Sequence, residues 1–287
     1  MKRVLITGAR GFVGCHLADE LNEGFSVTGV DLTDGIDLAN PASLDFLDGA
    51  FDAVIHLAGL SFVPASFERP AEFHRVNFNG ALTVAEFCRR RGVRTLIYPN
   101  TYVYGQPHRL PVDEHHPIAL PSPYHLSKKL AEDLLLGYFG TGVTQVVALR
   151  VFNLYGHHQN PQFLIPQMVA EACAFGRITV RDIEPRRDFL YIKDFVRLIR
   201  LVLEAGVLEG GIYNIGSGKS HSVADVIALI RELLGRPIEV RNLNERRLNE
   251  IMDCYADVSK VSRIFGWTPR YSLRDGLKDL LETTAYV

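Results

Sequence analysis

Residues 3–7, Arg-Val-Leu-Ile-Thr, form a short run rich in branched apolar side chains. They lead straight into Gly8-Ala9-Arg10-Gly11-Phe12-Val13-Gly14 and then a helical pattern through about Glu23. No other stretch narrows the fold as much. A continuous apolar run of this length suits a buried parallel strand. In a strand, glycine turn and helix, each glycine serves a purpose, whether a tight turn, close approach of backbone to a pyrophosphate, or close packing of helix on strand. The helix start adds unpaired N–H groups and the positive end of a dipole. Gly8, Gly11, Phe12 and Val13 are therefore candidate dinucleotide contacts. The spacing is G-x-x-G-x-x-G rather than the commoner G-x-G-x-x-G, so its place directly after the first strand gives it its weight.

A second strand is expected at 26–31, ending on Asp31, 17 residues after Gly14. A carboxylate there can take the adenosine ribose hydroxyls and repel a 2′-phosphate, which favours NAD over NADP. No arginine directly follows Asp31 to reverse that preference. The alternative is an aspartate that only caps the next turn. Ile36-Asp37-Leu38 follows almost at once, and residues 52–59 read as a fourth strand. Its small end, Leu57-Ala58-Gly59, would let a cofactor lie across it. A helix near 71–91 containing Asn77, strands at 94–98 and about 144–151, and a helix carrying Tyr124 complete an alternation that means an α/β parallel sheet. Beyond it, helices are expected near 163–175, 194–205, 222–234 and 272–283, with short strands at 178–180, 189–192, 211–215 and 238–241.

The chain has 287 residues, long for one core and short for two full domains, so a large domain with a smaller one attached is expected. A net charge of −2 leaves no electrostatic footprint for nucleic acid or an anionic membrane. No apolar run approaches the ~20 residues of a membrane span, and the first apolar run is too short for a signal peptide. Cys15, Cys88, Cys173 and Cys254 lie far apart, without metal or redox spacing, and read as thiols in a reducing cytoplasm. The doublets His115-His116 and His157-His158 point their members to different sides, so no metal site is expected.

Tyr124 and Lys128 stand four residues apart, which on a helix puts them one turn apart on one face. Tyrosine titrates near ~10, and lowering it by roughly 3 units takes about 4 kcal/mol. A nearby ammonium favours the phenolate, and an oxidised nicotinamide would add a second positive charge. A lone Tyr-x-x-x-Lys is weak and more often an ordinary amphipathic pair. It gains weight from the glycine turn at the other end of the sheet.

With the glycine turn, Asp31, Tyr124 and Lys128 in this order, the chain resembles the extended short-chain dehydrogenase/reductases, and within them the nucleotide-sugar epimerase/dehydratase group. The resemblance runs through His56–Gly59, Val103–Gly105, Leu149–Gly156, Arg187–Phe189, Tyr213–Gly218 and Ala256–Pro269. It implies a Rossmann doubly wound parallel sheet with a smaller α/β substrate-binding domain. Residues 1–153 with about 187–216 would form the NAD-binding domain, and about 154–186 with 217–287 the nucleotide-sugar domain. It implies Tyr124 as proton exchanger, Lys128 as ribose holder, and a Ser or Thr after the fifth strand bonding the same sugar oxygen. Thr101 fits if the register slips by one, whereas counting back from Val103-Tyr104-Gly105 lands on Asn100. Asp37, Leu38, Leu57, Ala58 and Gly59 join the cofactor contacts. Asn153, Arg187 and Arg247 are implied at the substrate diphosphate, and Glu250 at the nucleoside ribose. Arg187 could instead pair with Asp188 or Asp194. A homodimer is implied, built on the helix near 71–91 and the Tyr124 helix.

Dehydratases of the group carry an Asp-Glu pair after the catalytic Thr; here Tyr102 and Val103 stand there. The short span from Asp31 to Asp37 resembles that of 4-keto-sugar reductases. The segment 245–252, with Pro99-Asn100-Thr101, resembles CDP-3,6-dideoxyhexose synthases. The expectation is NADH-dependent reduction at C4 of a 4-keto sugar nucleotide. The alternatives are a 4-epimerase that keeps its NAD and, more remotely, a non-enzymatic NAD sensor.

Overall fold

The computed structural model describes residues 1–140, 142–205, 209–246 and 250–284. Strands β1 (Lys2–Thr7), β2 (Phe25–Val30), β3 (Ala53–His56), β4 (Thr95–Thr101), β5 (Gln145–Val151) and, later in the chain, Gly211–Ile215 form one six-stranded sheet. From one edge, that last strand pairs β5, followed by β4, β3, β1 and β2, and every pair is parallel.

The strand residues sort by parity. Val4, Ile6, Ile55, Ile97, Val147 and Leu149 face one core, whereas Leu5, Val54, Leu96, Tyr98 and Val146 face the other. This is the period-two geometry of a strand buried on both sides. The first core is closed by α1 (Phe12–Leu21) and by the later helix Ile192–Glu204, through Phe195, Leu198, Ile199 and Val202. The second is closed by the helices Gly80–Arg91 and Pro123–Phe139, through Val84, Phe87, Cys88, Ala131 and Leu135. Helices on both faces make the sheet doubly wound, and its crevice opens at the strands' C-terminal ends where β1 meets β3.

One expectation is corrected here and another is refined. Residues 36–38 join no strand, so the segment read as a fourth strand is the third, and it spans only Ala53–His56. Leu38 instead tucks into the second core. The helix expected near 71–91 is present and runs without interruption as α3 (Pro70–His74), a π-helical turn at Arg75–Asn79, and α4 (Gly80–Arg91), preceded by the short α2 (Val63–Glu68); only the π-helical turn was not expected. The wide turn turns Asn77 inward, where its side chain bonds Leu60 N at 2.8 Å and Ser127 Oγ at 2.8 Å. It thereby ties the loop after β3 to α5 (Pro123–Phe139).

The remaining elements are β6 (Asn153–Tyr155), α6 (Leu164–Phe175), β7 (Arg177–Val180), β8 (Arg186–Arg187), β9 (Phe189–Tyr191), α7 (Ile192–Glu204), β10 (Gly211–Ile215), β11 (His221–Ser222), α8 (Val223–Leu234), β12 (Glu239–Asn242), α9 (Ser259–Phe265) and α10 (Leu273–Thr284). Of these, β10 joins the sheet and α7 and α9 pack against it, Lys260 of α9 donating to Ile212 O at 2.7 Å. The short strands make small pairs, β6 with β9 and β7 with β12 in parallel and β8 with β11 antiparallel. The buried Asp188 carboxylate knits them together, accepting Ser217 N and Oγ, Gly218 N and Ala256 N within 2.6–3.0 Å. No described helix is long and apolar enough to cross a membrane.

Candidate active site

The glycine turn is built as its spacing requires. Gly8 has φ +70°, and a Cβ there would lie 2.7 Å from Ala58 N, so β1 and the end of β3 close up only around glycine. A Cβ on Gly14 would lie 2.4 Å from Gly8 O. α1 starts after Gly11 with no side chain capping it, which leaves its first N–H groups to a ligand. Asp31 stands at the end of β2. Its carboxylate accepts Thr33 N, Thr33 Oγ1 and Arg10 N, each at 3.0 Å. It therefore does cap the next turn. Burial opposes its ionisation, but the hydrogen bonds outweigh burial and hold it below the usual carboxylate range. Three hydrogen bonds do not exhaust a carboxylate's roughly four acceptor sites, so a ribose hydroxyl can still be taken. A helix start without a cap, a turn only glycine permits and an ionised strand-end carboxylate together fit a dinucleotide.

Asp37 accepts Ala39 N at 2.9 Å and pairs with Arg75 at 3.1 Å. At the end of β3, His56 is buried and stacks on Tyr98, with ring centroids 5.7 Å apart. Its Nδ1 bonds Thr7 Oγ1 at 2.8 Å, and its Nε2 has no partner among the described residues. Burial and the nearby Lys128 push it down to about 3, so the ring is neutral.

β3 stops pairing with β4 at Ile55–Ile97, while β4 runs on beside β5 as far as Thr101–Val151. Pro99 is tolerated because it falls where β3 has ended and no neighbour needs its N–H. α5 crosses above this edge, started by Ser122, whose Oγ accepts His125 N at 3.3 Å, and by Pro123. Lys128 is buried, its ammonium 2.9 Å from Pro99 O and 4.2 Å from the Tyr98 ring centre. Burial lowers it to about 7, opposed by Glu132. Tyr124 is raised by burial, and the opposing pull is the hydrogen bond from Thr101. The sequence-based expectation had Lys128 lowering Tyr124. In the chain alone the ammonium is aimed at Pro99 and Tyr98 instead.

The geometry separates Thr101 from Asn100. Asn100 is buried, its Nδ2 donating to Glu132 at 2.6 Å and its Oδ1 accepting Thr101 N at 2.8 Å. Its amide is thus spent inside the protein, and the Thr101 hydroxyl is the one that meets Tyr124. Arg150 completes the support, donating to Glu132 at 2.6 and 3.0 Å and to Tyr104 at 2.9 Å.

On the far side of the crevice, Asn153 donates from Nδ2 to Asp188 O at 3.3 Å. Arg187 pairs with neither Asp188 nor Asp194. It pairs with Glu250 and donates to Arg186 O at 2.8 Å, so two residues expected on different parts of a substrate hold each other. Arg247 lies outside the described residues. Glu132, Arg150 and His56 were not singled out from sequence. The signals were a charged residue one turn past Lys128 and an arginine inside the apolar run 146–151.

The model of the NAD dependent epimerase/dehydratase family matches residues 4–216. UDP-arabinose 4-epimerase 1 of Arabidopsis thaliana is 29% identical over 331 residues, 98% of this chain and 78% of the relative. RMD from Pseudomonas aeruginosa, solved in complex with NADPH, superposes with a TM-score of 0.91 at 30% identity, over 100% of this chain and 99% of its own. UDP-glucose 4-epimerase from Bifidobacterium longum, solved with NAD+ and UDP, superposes with a TM-score of 0.87 at 27% identity, over 98% and 97%. The glycine turn, Asp31 and the Tyr124–Lys128 helix all fall inside the matched span, and the chain belongs to the NAD dependent epimerase/dehydratase family as an NAD-dependent enzyme of the extended short-chain dehydrogenase/reductase type.

Proposed function

We propose that this chain is a nucleotide-sugar 4-epimerase that retains its NAD. The observation that carries the reading is the hydroxyl pair of Tyr124 and Thr101 at the open edge of β4, with Lys128 one turn behind it. Its likeness to 4-epimerases over nearly the whole chain supports epimerisation over the net reduction expected from sequence. Bound NAD supplies the hydride acceptor and donor for the sugar carbon. Tyr124, as the phenolate that the positive charges of oxidised nicotinamide and Lys128 would favour, would take the proton from the 4-oxygen as that carbon is oxidised and return it on reduction, so proton and hydride are handled together. Thr101 donates to the same oxygen and steadies charge as it develops. Lys128, one turn behind, would hold the nicotinamide ribose. The unbroken Tyr102-Val103 after Thr101 lacks the acid pair of a dehydratase.

Residues 154–186 and 217–287 would face the nucleotide. Asn153, Arg187 and Arg247 would meet the diphosphate and Glu250 the ribose, which requires the Arg187–Glu250 pair to open. Guanidinium suits phosphate because its donors form a fixed fork. A second reading, reduction of a 4-keto sugar nucleotide, is favoured by the short turn that carries Asp31 to Asp37 without an intervening strand. Purified protein incubated with saturated UDP-sugars and with 4-keto nucleotide sugars decides between them. The epimerase reading expects a C4 isomer with no net change in NADH absorbance. Stoichiometric NADH loss on a 4-keto sugar, without isomer formation, would replace it by the reductase.

A further inference from the structure

Arg10, the third residue of the glycine turn, is held at the ribose end of β2 from two directions. Its amide donates to Asp31 Oδ2 at 3.0 Å, so its backbone is tied to the strand-end carboxylate. Its guanidinium grips Asp34 with both donors, Nε to Oδ2 at 3.0 Å and Nη2 to Oδ1 at 2.5 Å. Asp34 is itself placed by a tight turn. Its N–H bonds Asp31 O at 3.1 Å, and Gly35 closes the turn at φ +81° with its N–H on Leu32 O at 2.9 Å.

We infer that the Arg10–Asp34 pair sets the dinucleotide preference of this chain, with Asp34 competing against a 2′-phosphate for the Arg10 guanidinium. NAD and NADP differ only at the adenosine 2′ position, next to the carboxylate that ends the second strand. There Asp31 and Asp34 supply two negative charges against the single positive charge of Arg10, a net repulsion for a phosphate. The arginine is nevertheless the right group to bind one, a planar fork of donors. The side chains of Arg10 and Asp34 are 64% and 33% exposed. An ion pair that open is weak and exchanges readily. Removing the Asp34 carboxylate both frees the guanidinium and removes one repelling charge, without touching Asp31. No arginine directly follows Asp31 in the sequence. The arginine comes instead from the glycine turn, 21 positions earlier in the chain.

The inference rests on the proposed dinucleotide site, with Asp31 facing the adenosine ribose. Dissociation constants for NADH and NADPH, read by nicotinamide fluorescence after exchange of any copurified nucleotide, test it in wild type, Asp34→Ala, Arg10→Ala and the double variant. Wild type should bind NADH more tightly than NADPH. Asp34→Ala should lower the NADPH-to-NADH ratio of dissociation constants by about tenfold. The gain should disappear in Arg10→Ala/Asp34→Ala and shrink with added salt. An unchanged ratio in Asp34→Ala, or a gain that survives in the double variant, overturns the lock while leaving the site intact. Failure of the wild-type chain to bind NADH overturns the site and the lock together.

Discussion

Glu132 and Arg150 form a buried ion pair beneath the active-site edge, 0% and 3% exposed at their side chains. Glu132→Gln keeps the shape and one acceptor but strands the guanidinium, which cannot deprotonate in a protein. Breaking a buried pair from one side costs about 3–5 kcal/mol, roughly 2 to 3.5 decades in the folded-to-unfolded ratio. The reverse variant, Arg150→Met, leaves the carboxylate with only Asn100 and, at 3.8 Å, Lys129, and it can escape by taking up a proton. Its cost should therefore shrink as pH falls, whereas that of Glu132→Gln should not. Glu132→Gln/Arg150→Met removes both charges and should recover most of the loss. Urea denaturation of the three variants and wild type at pH 5.5 and pH 8 would measure this, with unchanged m-values as the check on comparable unfolding. Additive losses, or a Glu132→Gln cost below about 1 kcal/mol, would refute the view that this pair is a desolvated, mutually dependent unit. The effect should reach the chemistry too. Asn100 bonds both Glu132 and Thr101 N, so loosening the pair loosens the residue that meets Tyr124.

Three further outcomes are expected. Thr101→Val should lower turnover by about 100-fold while nucleotide binding persists; near-normal turnover would pass the role to another group. Gly14→Ala places a Cβ 2.4 Å from Gly8 O, a backbone atom that cannot swing aside, so NADH affinity should fall at least about tenfold; a normal dissociation constant would refute the close-packing requirement. Lys128 sits at about 7 in the cofactor-free fold, against ~10.4 when unfolded. Between those values the unfolded chain binds a proton the folded chain lacks, so cofactor-free stability should rise with pH through that window. Melting at pH 7 and pH 9 should show the rise in wild type and not in Lys128→Met; the same slope in both would refute it.

The architecture was legible because it is written in short-range patterns. Alternate residues of Val4-Leu5-Ile6 serve opposite cores, and this needs only a period of two. The glycine turn is legible because Gly8 and Gly14 answer to backbone atoms of adjoining segments, an obstacle no side chain avoids. Tyr124 and Lys128 could be paired because a helix sets their spacing whatever surrounds it. The π-helical turn at Arg75–Asn79 was not legible, since the chain stays helical on both sides of it and a single such turn has no composition of its own.

Which groups remain free to act was a matter for the tertiary structure alone. Asn100 and Thr101 are neighbours in sequence, and only Glu132, brought over by α5, takes the Asn100 amide and leaves the Thr101 hydroxyl to Tyr124. Arg187 looked able to pair with Asp188 or Asp194, but Ser217, Gly218 and Ala256 claim the first, and Arg197 pairs with the second. Glu250 is left to take the guanidinium. Lys128 was expected to act on Tyr124, yet Pro99 O and the Tyr98 ring hold its ammonium. In each case the partner comes from another element, delivered by sheet order and loop path. A charge or amide bonds whatever its neighbours present, and those neighbours exist only once the chain has folded.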